Sequence, residues 1–415
     1  MSRAADDLRD RSAAEVITGG PRYRTPRLLV AFGGLQYVLF PIPVVILFWT
    51  DQIGLSLTQI MVLQAIFGLA SVVFEFPSGY LADRVGYRTA LLAGAALWTL
   101  GWTIYAIATT FGEIALGEIV LGAATAFVSG ADSALLFSSL AAANDVGAYT
   151  RWEGRARAAG QACEAGSSAV GGWLYALTPR LPFWLQVPNA LATVALVATM
   201  RQPPRARVTV ATSHFARMWH VVRTTLRHRR LRSAIQLSVT LGLSTFTMVW
   251  LIQPWMQRRG IPVAWFGPIW AAAHLWLATV SLASARVADA IGVRVTLATS
   301  AVLVVAGYAL LAVLDTPWAV AAYLCFMTTR GLQSPILATV IQADAPHEDR
   351  ASVLSLNALC FRLAFVACGP AVGALVDRFT LEPTLGALAV ASAAASAGAL
   401  VAFRRAHPAR ALGVG

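Results

Sequence analysis

The residues with the most distinctive chemistry in this sequence are charged side chains embedded in long apolar stretches. The first half of the chain contributes four carboxylates of this kind: Glu75, Glu118, Asp132 and Glu164. A carboxyl group can take up and release a proton. Its charged form costs roughly 2.5 to 3.5 kcal/mol at the centre of a bilayer on insertion scales, so each acid is a candidate for function.

The corresponding residues of the second half are cations. Arg330 and Arg362 each lie about a dozen residues from the end of an apolar stretch, and His274 lies at a similar depth. Because a helix rises about 1.5 Å per residue, these positions fall near the middle of a bilayer. An arginine fork can bind an anionic group. The structural alternative is that these acids and arginines pair across helices or cap helix ends, with His274 a packing residue.

Spacing places some of the acids on polar helix faces. Small and acidic residues recur every three or four positions, as one helix face requires. The first series is Glu118, Gly122, Thr125, Ser129 and Asp132, and the second is Gly160, Glu164, Ser168 and Gly171. Each series predicts a polar face that lines a cavity.

Composition determines the elements that must position these residues. The 415 residues are 57% hydrophobic and only 13% charged, which excludes an ordinary soluble protein. A membrane-spanning helix needs roughly 20 apolar residues, and the apolar stretches are long enough for helices but not typical of barrel strands. The net charge of +12 is scattered between apolar segments, which argues against nucleic-acid binding. We therefore predict an all-α polytopic membrane protein.

The apolar stretches predict twelve transmembrane helices, which we number as spans 1 to 12. They cover about 29–49, 58–78, 89–109, 112–142, 159–177, 183–200, 233–255, 263–285, 295–313, 317–342, 351–375 and 384–403. The predicted organisation is an N-terminal tail at 1–28, a six-helix bundle at 29–200, a basic central loop at 201–232, a second bundle at 233–403 and a C-terminal tail at 404–415.

Internal repetition relates the two predicted bundles. Ala82-Asp83-x-x-Gly86-x-Arg88 is matched 206 residues later by Ala288-Asp289-x-x-Gly292-x-Arg294. Val170-Gly171-Gly172 is matched 202 residues later by Val372-Gly373-Ala374. The nearly equal offsets predict two pseudo-symmetric halves that arose by duplication.

Arginine distribution predicts the orientation. If both tails and the even-to-odd loops share one side, that side holds 26 of the 32 arginines, whereas the opposite loops hold four. Positive residues are enriched in cytoplasmic loops. We therefore expect both termini in the cytoplasm.

The segment from Gly79 to Arg88 joins spans 2 and 3 and reads G-x-L-A-D-R-x-G-x-R. It resembles the signature loop of the major facilitator superfamily (MFS), whose members are secondary transporters with two six-helix bundles. The two halves and the basic central loop extend that resemblance over nearly the whole chain. We expect Gly79 to allow a close helix approach and Gly86 to adopt a positive φ.

The resemblance implies a role for the loop residues, and the position of the other charged residues within the spans suggests theirs. Asp83, Arg84 and Arg88, with the second copy Asp289, Gly292 and Arg294, are expected to form gating loops whose contacts break as the bundles rock. We expect Glu75, Glu118, Asp132 or Glu164 to carry a coupling proton. Arg330, Arg362 and His274 are the candidates for holding a substrate.

Two signatures of the family's proton-coupled drug exporters are altered here. Span 4 carries Glu118-Ile119-Val120-Leu121-Gly122 where exporters carry R-x-x-x-G, and span 5 carries Ser167-Ser168-Ala169-Val170-Gly171 where they carry G-P-x-x-G. A better copy of the second signature, Gly369-Pro370-Ala371-Val372-Gly373, lies in span 11. These departures weaken, without excluding, the standard drug-antiport scheme.

The sequence thus favours proton-coupled efflux of a small organic molecule by alternating access. The alternatives are proton- or sodium-coupled uptake of an anionic metabolite and, more remotely, a transport-inactive sensor. We expect no enzymatic activity, cofactor, metal or nucleic-acid partner, because no catalytic or phosphate-binding motif occurs and the four cysteines lie in spans without paired spacing. The expected partners are the substrate, a proton and membrane lipids. A monomer in the cell's inner membrane is the expected state.

Overall fold

We describe the protein from a computed structural model that covers residues 23–203, 222–225, 227–346 and 349–408. Every regular element in these residues is helical, which confirms the fold-class prediction. Nine of the described helices are long and apolar enough to cross a membrane. Most of the predicted central loop and of both tails lies outside the described residues.

The helices follow the twelve predicted spans. After an interrupted span 1, they are Leu57–Arg84, Tyr87–Ile107, Phe111–Val128 with Ala131–Ala142, Tyr149–Leu177, Leu181–Ala198, Arg229–Arg258, Phe266–Ile291, Val293–Val313, Tyr323–Asp344, Arg350–Phe379 and Leu381–Ala406. Short 3-10 turns at Val263–Trp265 and Pro317–Ala322 precede spans 8 and 10. Span 2 extends through Arg84, and span 5 begins ten residues earlier than predicted.

Span 1 is interrupted near its two prolines, Pro41 and Pro43. Its regular helix, Arg24–Gln36, ends before Pro41, and the chain continues through Ile42–Val44, Val45–Leu47 and Phe48–Gln52 in shorter helical turns. Proline lacks a backbone donor and cannot continue a helix in the ordinary way. Side chains of spans 5 and 6 satisfy the backbone groups that this break leaves. The Leu39 N–H donates to Ser167 Oγ at 2.9 Å, and the side-chain amides of Asn189 and Gln186 donate to the carbonyls of Leu35 and Val38.

Span 4 is interrupted at Ser129 and Gly130. Gly130 has φ +78°, a left-handed conformation that glycine adopts without steric cost, and it precedes the helix Ala131–Ala142. The predicted continuous face from Glu118 to Asp132 is therefore divided between two helical segments. Glu118 and Asp132 therefore lie on different helical segments and contact different neighbours.

The described chain divides into two compact units. Unit 1 contains the described residues of Met1–Ile42, Ala70–Ser168 and Arg180–Arg207, and unit 2 contains those of Pro43–Leu69, Ala169–Pro179 and Val208–Gly415. Two segments that precede the central loop, 43–69 and 169–179, thus belong to unit 2; we call them the packed segments. The division into bundles at 29–200 and 233–403 remains a prediction.

Small residues set the helix spacing inside each unit. In unit 1, a methyl group at Gly94 or Gly101 of span 3 would lie 2.7 or 2.6 Å from span 4 side chains. In unit 2, one at Gly307 would lie 2.6 Å from Phe326. Membrane helices associate through such close contacts because lipid tails are as apolar as leucine and provide no hydrophobic driving force.

Candidate functional site

Unit 1 contains a polar cluster where spans 4 and 5 meet. Ser133 links two acids: its backbone N–H donates to Asp132 Oδ1 at 2.7 Å, and its hydroxyl lies 3.3 Å from both carboxylate oxygens of Glu153. Arg157 Nη2 donates to Glu153 Oε1 at 3.1 Å. Asp132 also experiences the charges of Glu153 and Arg157. These four residues form a connected acid–arginine group, which we call the acidic cluster.

The acidic cluster extends toward spans 1 and 5 through a phenol. Tyr37, at the break in span 1, lies within electrostatic range of Glu164, Arg157 and Asp132. The chain approaches this ring closely, because a methyl group at Gly160 would lie 2.8 Å from Tyr37 Cδ2. The structure therefore brings two predicted site residues, Asp132 and Glu164, to one neighbourhood.

Glu153 and Arg157 were not among the predicted site residues, because span 5 was predicted to begin at about residue 159. The helix begins at Tyr149, so both residues are helical and stand four positions apart, where oppositely charged side chains meet. This spacing of four residues is the feature of the sequence that could have identified the pair. The Arg157 side chain is 79% exposed and that of Glu153 22% exposed, so a small ligand can reach the pair.

Glu118 has a different environment. It is buried, 3% exposed, and hydrogen bonds with the Tyr105 side chain of span 3. The Tyr105 ring also packs against Gly117. Glu118 and Asp132 therefore do not share the predicted polar face, because the break at Gly130 separates them. Glu75 lies on an exposed face of span 2.

Unit 2 contains a group of one arginine, one histidine and two aromatic residues on spans 8 and 10. His274 stacks on Trp270 with ring centroids 4.9 Å apart and lies within electrostatic range of Arg330. Tyr323 also experiences the Arg330 charge. The structure thus brings together two of the three predicted substrate-binding residues.

Arg362, the third, lies on span 11 beside an aromatic cluster. Phe246 of span 7 packs edge-on against Phe361 and Phe365 of span 11, at centroid distances of 5.4 and 5.0 Å. Trp250 packs on the same Phe246 ring at 6.0 Å. Arg362 itself is half-buried.

The signature segment is almost entirely helical. Span 2 continues through Asp83 and Arg84, and only Val85 and Gly86 separate it from span 3. Gly86 has the expected positive φ, +123°. The predicted close approach at Gly79 is absent, since no described atom outside its own helix lies within 4 Å of a methyl group built there.

Arg88 connects span 3 to the end of span 6 within unit 1. Its guanidinium donates to the Ala198 carbonyl at 2.7 Å and to the Val197 carbonyl at 3.4 Å, while its backbone N–H donates to Gln202 Oε1. Terminal helix carbonyls lack partners inside the helix and carry partial negative charge, so a cation there is stabilising.

The second copy of the motif repeats this arrangement in unit 2. Gly292 has φ +83°, and Arg294 donates to the carbonyls of Arg404 and His407 at the end of span 12. Asp289 lies on an exposed turn of span 8. The two motif arginines thus hold equivalent helix ends, which supports the duplication.

The packed segments of unit 2 meet spans 7, 8 and 11 through close backbone contacts. A methyl group at Gly373 would lie 2.6 Å from Thr58 Cα, and one at Gly172 would overlap the Val263 carbonyl oxygen. Asp377 accepts from the N–H groups of Leu57 and Thr58 at 3.0 and 2.9 Å and from Thr58 Oγ1 at 2.5 Å.

Two glutamines of span 7 add hydrogen bonds to the same segments. Gln253 Oε1 accepts from the Ile46 N–H at 3.1 Å, and Gln257 donates to Asp51 at 2.8 Å.

The described fold is that of a polytopic helical membrane protein with a repeated helix-capping motif. A sequence model of the Major Facilitator Superfamily matches residues 28–368. The chain therefore belongs to the major facilitator superfamily and is a multi-pass membrane transporter of that type.

Two individual proteins resemble a shorter part of the chain than the family model does. The chain is 32% identical over 121 residues to the class G tetracycline resistance protein of Vibrio anguillarum, and 30% identical over 122 residues to the class D protein of Salmonella ordonez. Each match covers 29% of this chain and 30% of the relative.

Solved structures share the fold at low sequence identity. The nucleoside transporter NupG superposes with a TM-score of 0.78 at 14% identity, over 92% of this chain and 99% of that one. A bacterial homologue of the human lysosomal transporter Spinster gives 0.68 at 15% identity, over 94% and 96%. At these identities the likeness shows the fold alone.

Proposed function

We propose that this protein is a proton-coupled exporter of a small organic molecule, located in the cytoplasmic membrane with both termini inside the cell. Membership of the superfamily supports transport, and the arginine asymmetry supports the orientation. The likeness of 29% of the chain to two tetracycline resistance proteins supports export.

The observation that carries the proposal is the composition of the acidic cluster. Asp132 and Glu153 are linked through Ser133, and Arg157 pairs with Glu153, so one cation of the cluster faces two carboxyl groups. One arginine neutralises one carboxylate, and the negative charge left over attracts a proton or a cationic substrate.

This arrangement suits exchange of a proton for a substrate. When the cluster binds a proton, the remaining charge is reduced and a cationic or hydrogen-bonding substrate is held less strongly. When the proton leaves, the carboxylates are free to bind the next substrate. Such competition couples the two movements if the cluster is exposed to alternate sides of the membrane.

The packed segments and the motif loops supply the conformational elements. We assign the Asp377 and Gly373 contacts of unit 2 to a closed outer gate. Asp83, Arg84 and Arg88 belong to the inner side, where Arg88 holds span 3 to span 6. In this scheme the outer contacts break and form again in each transport cycle.

Transport by inside-out vesicles tests the proposal, with tetracycline as the probe. An inward-directed pump acidifies the vesicle lumen, and the exporter should then accumulate tetracycline in exchange for protons. Asp132→Asn and Glu153→Gln should each lower this accumulation at least about tenfold, because each removes a group that exchanges the proton.

Glu113→Gln is the matched control. Glu113 is also a span 4 carboxylate, but it caps the opposite end of the helix by accepting from the Thr110 N–H at 3.0 Å. Its substitution should leave accumulation near the wild-type level. Wild-type accumulation that persists after the pH gradient is collapsed would contradict proton coupling, and loss in the control to the same degree would contradict the role of the acidic cluster.

Uptake of an anionic metabolite is the second candidate, and the Arg330 group of unit 2 favours it. Arg330, His274 and Tyr323 offer a guanidinium, an imidazole and a phenol to an anionic group. A pH-driven flux of an organic anion into right-side-out vesicles, lost in Arg330→Gln, would support uptake over export.

A further inference from the structure

Unit 1 contains an open cavity of about 800 Å³ between the start of span 1, the start of span 3 and the end of span 6. Three arginines line it: Arg24, Arg88 and Arg201. Polar neutral side chains, Thr89, Thr199 and Gln202, complete its polar wall. Among the described residues that line it, none is a carboxylate.

The three arginines differ in their contacts. Arg88 is already engaged, because its guanidinium donates to the carbonyls of Val197 and Ala198. Arg24 and Arg201 are exposed and have no carboxylate partner among the described residues. The backbone of Arg201 is fixed, since its carbonyl accepts from Thr25 Oγ1 at 3.1 Å. This bond also ties Arg201 to the turn of span 1 that carries Arg24.

The surrounding backbone adds to the positive potential. Spans 1 and 3 both begin at the cavity, and neither has an acidic residue in its first turn. Gln202 Oε1 accepts from the Arg88 N–H in the first turn of span 3, but this amide oxygen is neutral and leaves the positive end of the helix without a counter-charge. The ends of span 1 and span 3 at which the cavity lies are the positive ends of their helix dipoles. The negative end of span 6 is neutralised by Arg88. A cavity with this lining can lower its electrostatic energy by taking up an anion.

We propose that this cavity binds a phosphate group through the Arg24 and Arg201 side chains. Arginine presents a planar fork of donors that matches phosphate oxygens, and each such bond is charge-assisted on both sides. The phosphate has two chemical sources: the headgroup of an anionic phospholipid, or a soluble phosphate. The volume exceeds what a bare phosphate needs and accommodates a phosphoglycerol headgroup, which makes the lipid the expected source. This site is separate from the acidic cluster and does not depend on the direction of transport.

Thermal unfolding of the purified full-length protein in a neutral detergent tests the site. Phosphatidylglycerol should raise the melting temperature, while phosphatidylcholine at the same concentration should not. In the double variant Arg24→Gln/Arg201→Gln, half-saturation should need at least about tenfold more phosphatidylglycerol, because two charge-assisted contacts are removed.

The control is the double variant Arg151→Gln/Arg404→Gln. It removes the same charge from two exposed arginines that do not line the cavity, so the phosphatidylglycerol response should match the wild type. Titration with inorganic phosphate separates the sources. A response to phosphate equal to that of the lipid, and lost in Arg24→Gln/Arg201→Gln, would support the phosphate site with a soluble source.

Two outcomes would overturn the proposal. One is an unchanged lipid response in Arg24→Gln/Arg201→Gln, and the other is an equal loss in the control variant, which would show general attraction between arginines and anionic lipid. Retention of the wild-type melting temperature without lipid establishes that the cavity variant is folded. Tetracycline accumulation, measured separately, reports on the proposed export and not on this site.

Discussion

Asp377 should control how readily the packed segments of unit 2 detach. Its carboxylate caps the first turn of span 2 from span 11, accepting from two backbone N–H groups and the Thr58 hydroxyl. Loss of a helix N-cap costs about 0.5–2 kcal/mol. Because Asp377 is exposed, we take the lower part of this range, about 0.5–1 kcal/mol, for Asp377→Ala, which raises the population of the detached state about 2- to 5-fold.

Cysteine labelling measures this population. Ile46 lies in the same packed segment, is fully buried, and is tied to Gln253 through its backbone N–H. In a background without the four native cysteines, Ile46→Cys should react slowly with a membrane-impermeant maleimide. Adding Asp377→Ala should raise the labelling rate by the factor given above.

Two further variants serve as comparisons in the labelling experiment. Asp377→Asn should have a smaller effect than Asp377→Ala, because its single amide oxygen can keep the bonds from Thr58 but not the one from the Leu57 N–H. Asp315→Ala removes a carboxylate that pairs with Arg259 in the same unit but does not contact the packed segments, so labelling should not change. If Ile46→Cys is labelled at the same rate with and without Asp377→Ala, the assignment of these contacts to a gate is refuted.

Two other substitutions test contacts at the motif loops, each by the melting temperature of the detergent-purified protein. Gly86→Ala should destabilise the protein by about 1 kcal/mol more than Gly292→Ala. Both glycines have positive φ, but only at Gly86 would a methyl group displace Gln202 from its hydrogen bond. Equal losses of stability in the two variants would contradict this prediction. His407→Ala should lower the stability of the protein by about 1–3 kcal/mol. The buried imidazole is hydrogen bonded to Asp344 at 2.7 Å, and that carboxylate would lose its nearest partner. An unchanged melting temperature would contradict this prediction.

The fold followed from local properties of the sequence. Apolar stretches of about 20 residues must become helices in a membrane, because no water is present to satisfy the backbone. The twelve spans and the repeat of Gly86–Arg88 at Gly292–Arg294 were therefore visible without coordinates. Both glycines have the expected positive φ, since this conformation is a local requirement of the turn.

The candidate site was only partly predictable. Asp132 and Glu164 were identified by the cost of a charge in an apolar stretch, but Glu153 and Arg157 were not, because span 5 was begun too late. The grouping of Glu118 with Asp132 failed since helical spacing assumes an unbroken helix, and Gly130 breaks it. Whether these residues act in transport remains a prediction.

By itself, the sequence determined the number of helices, the duplication and the positions of charges within the spans, because these depend on hydrophobicity and spacing along one chain. Only the tertiary structure decided which charges meet. Glu118 faces Tyr105 while Asp132 joins Ser133 and Glu153, and Asp377 caps a helix that begins 320 residues earlier. Pairings over such separations depend on how helices pack in three dimensions, and no local pattern encodes them.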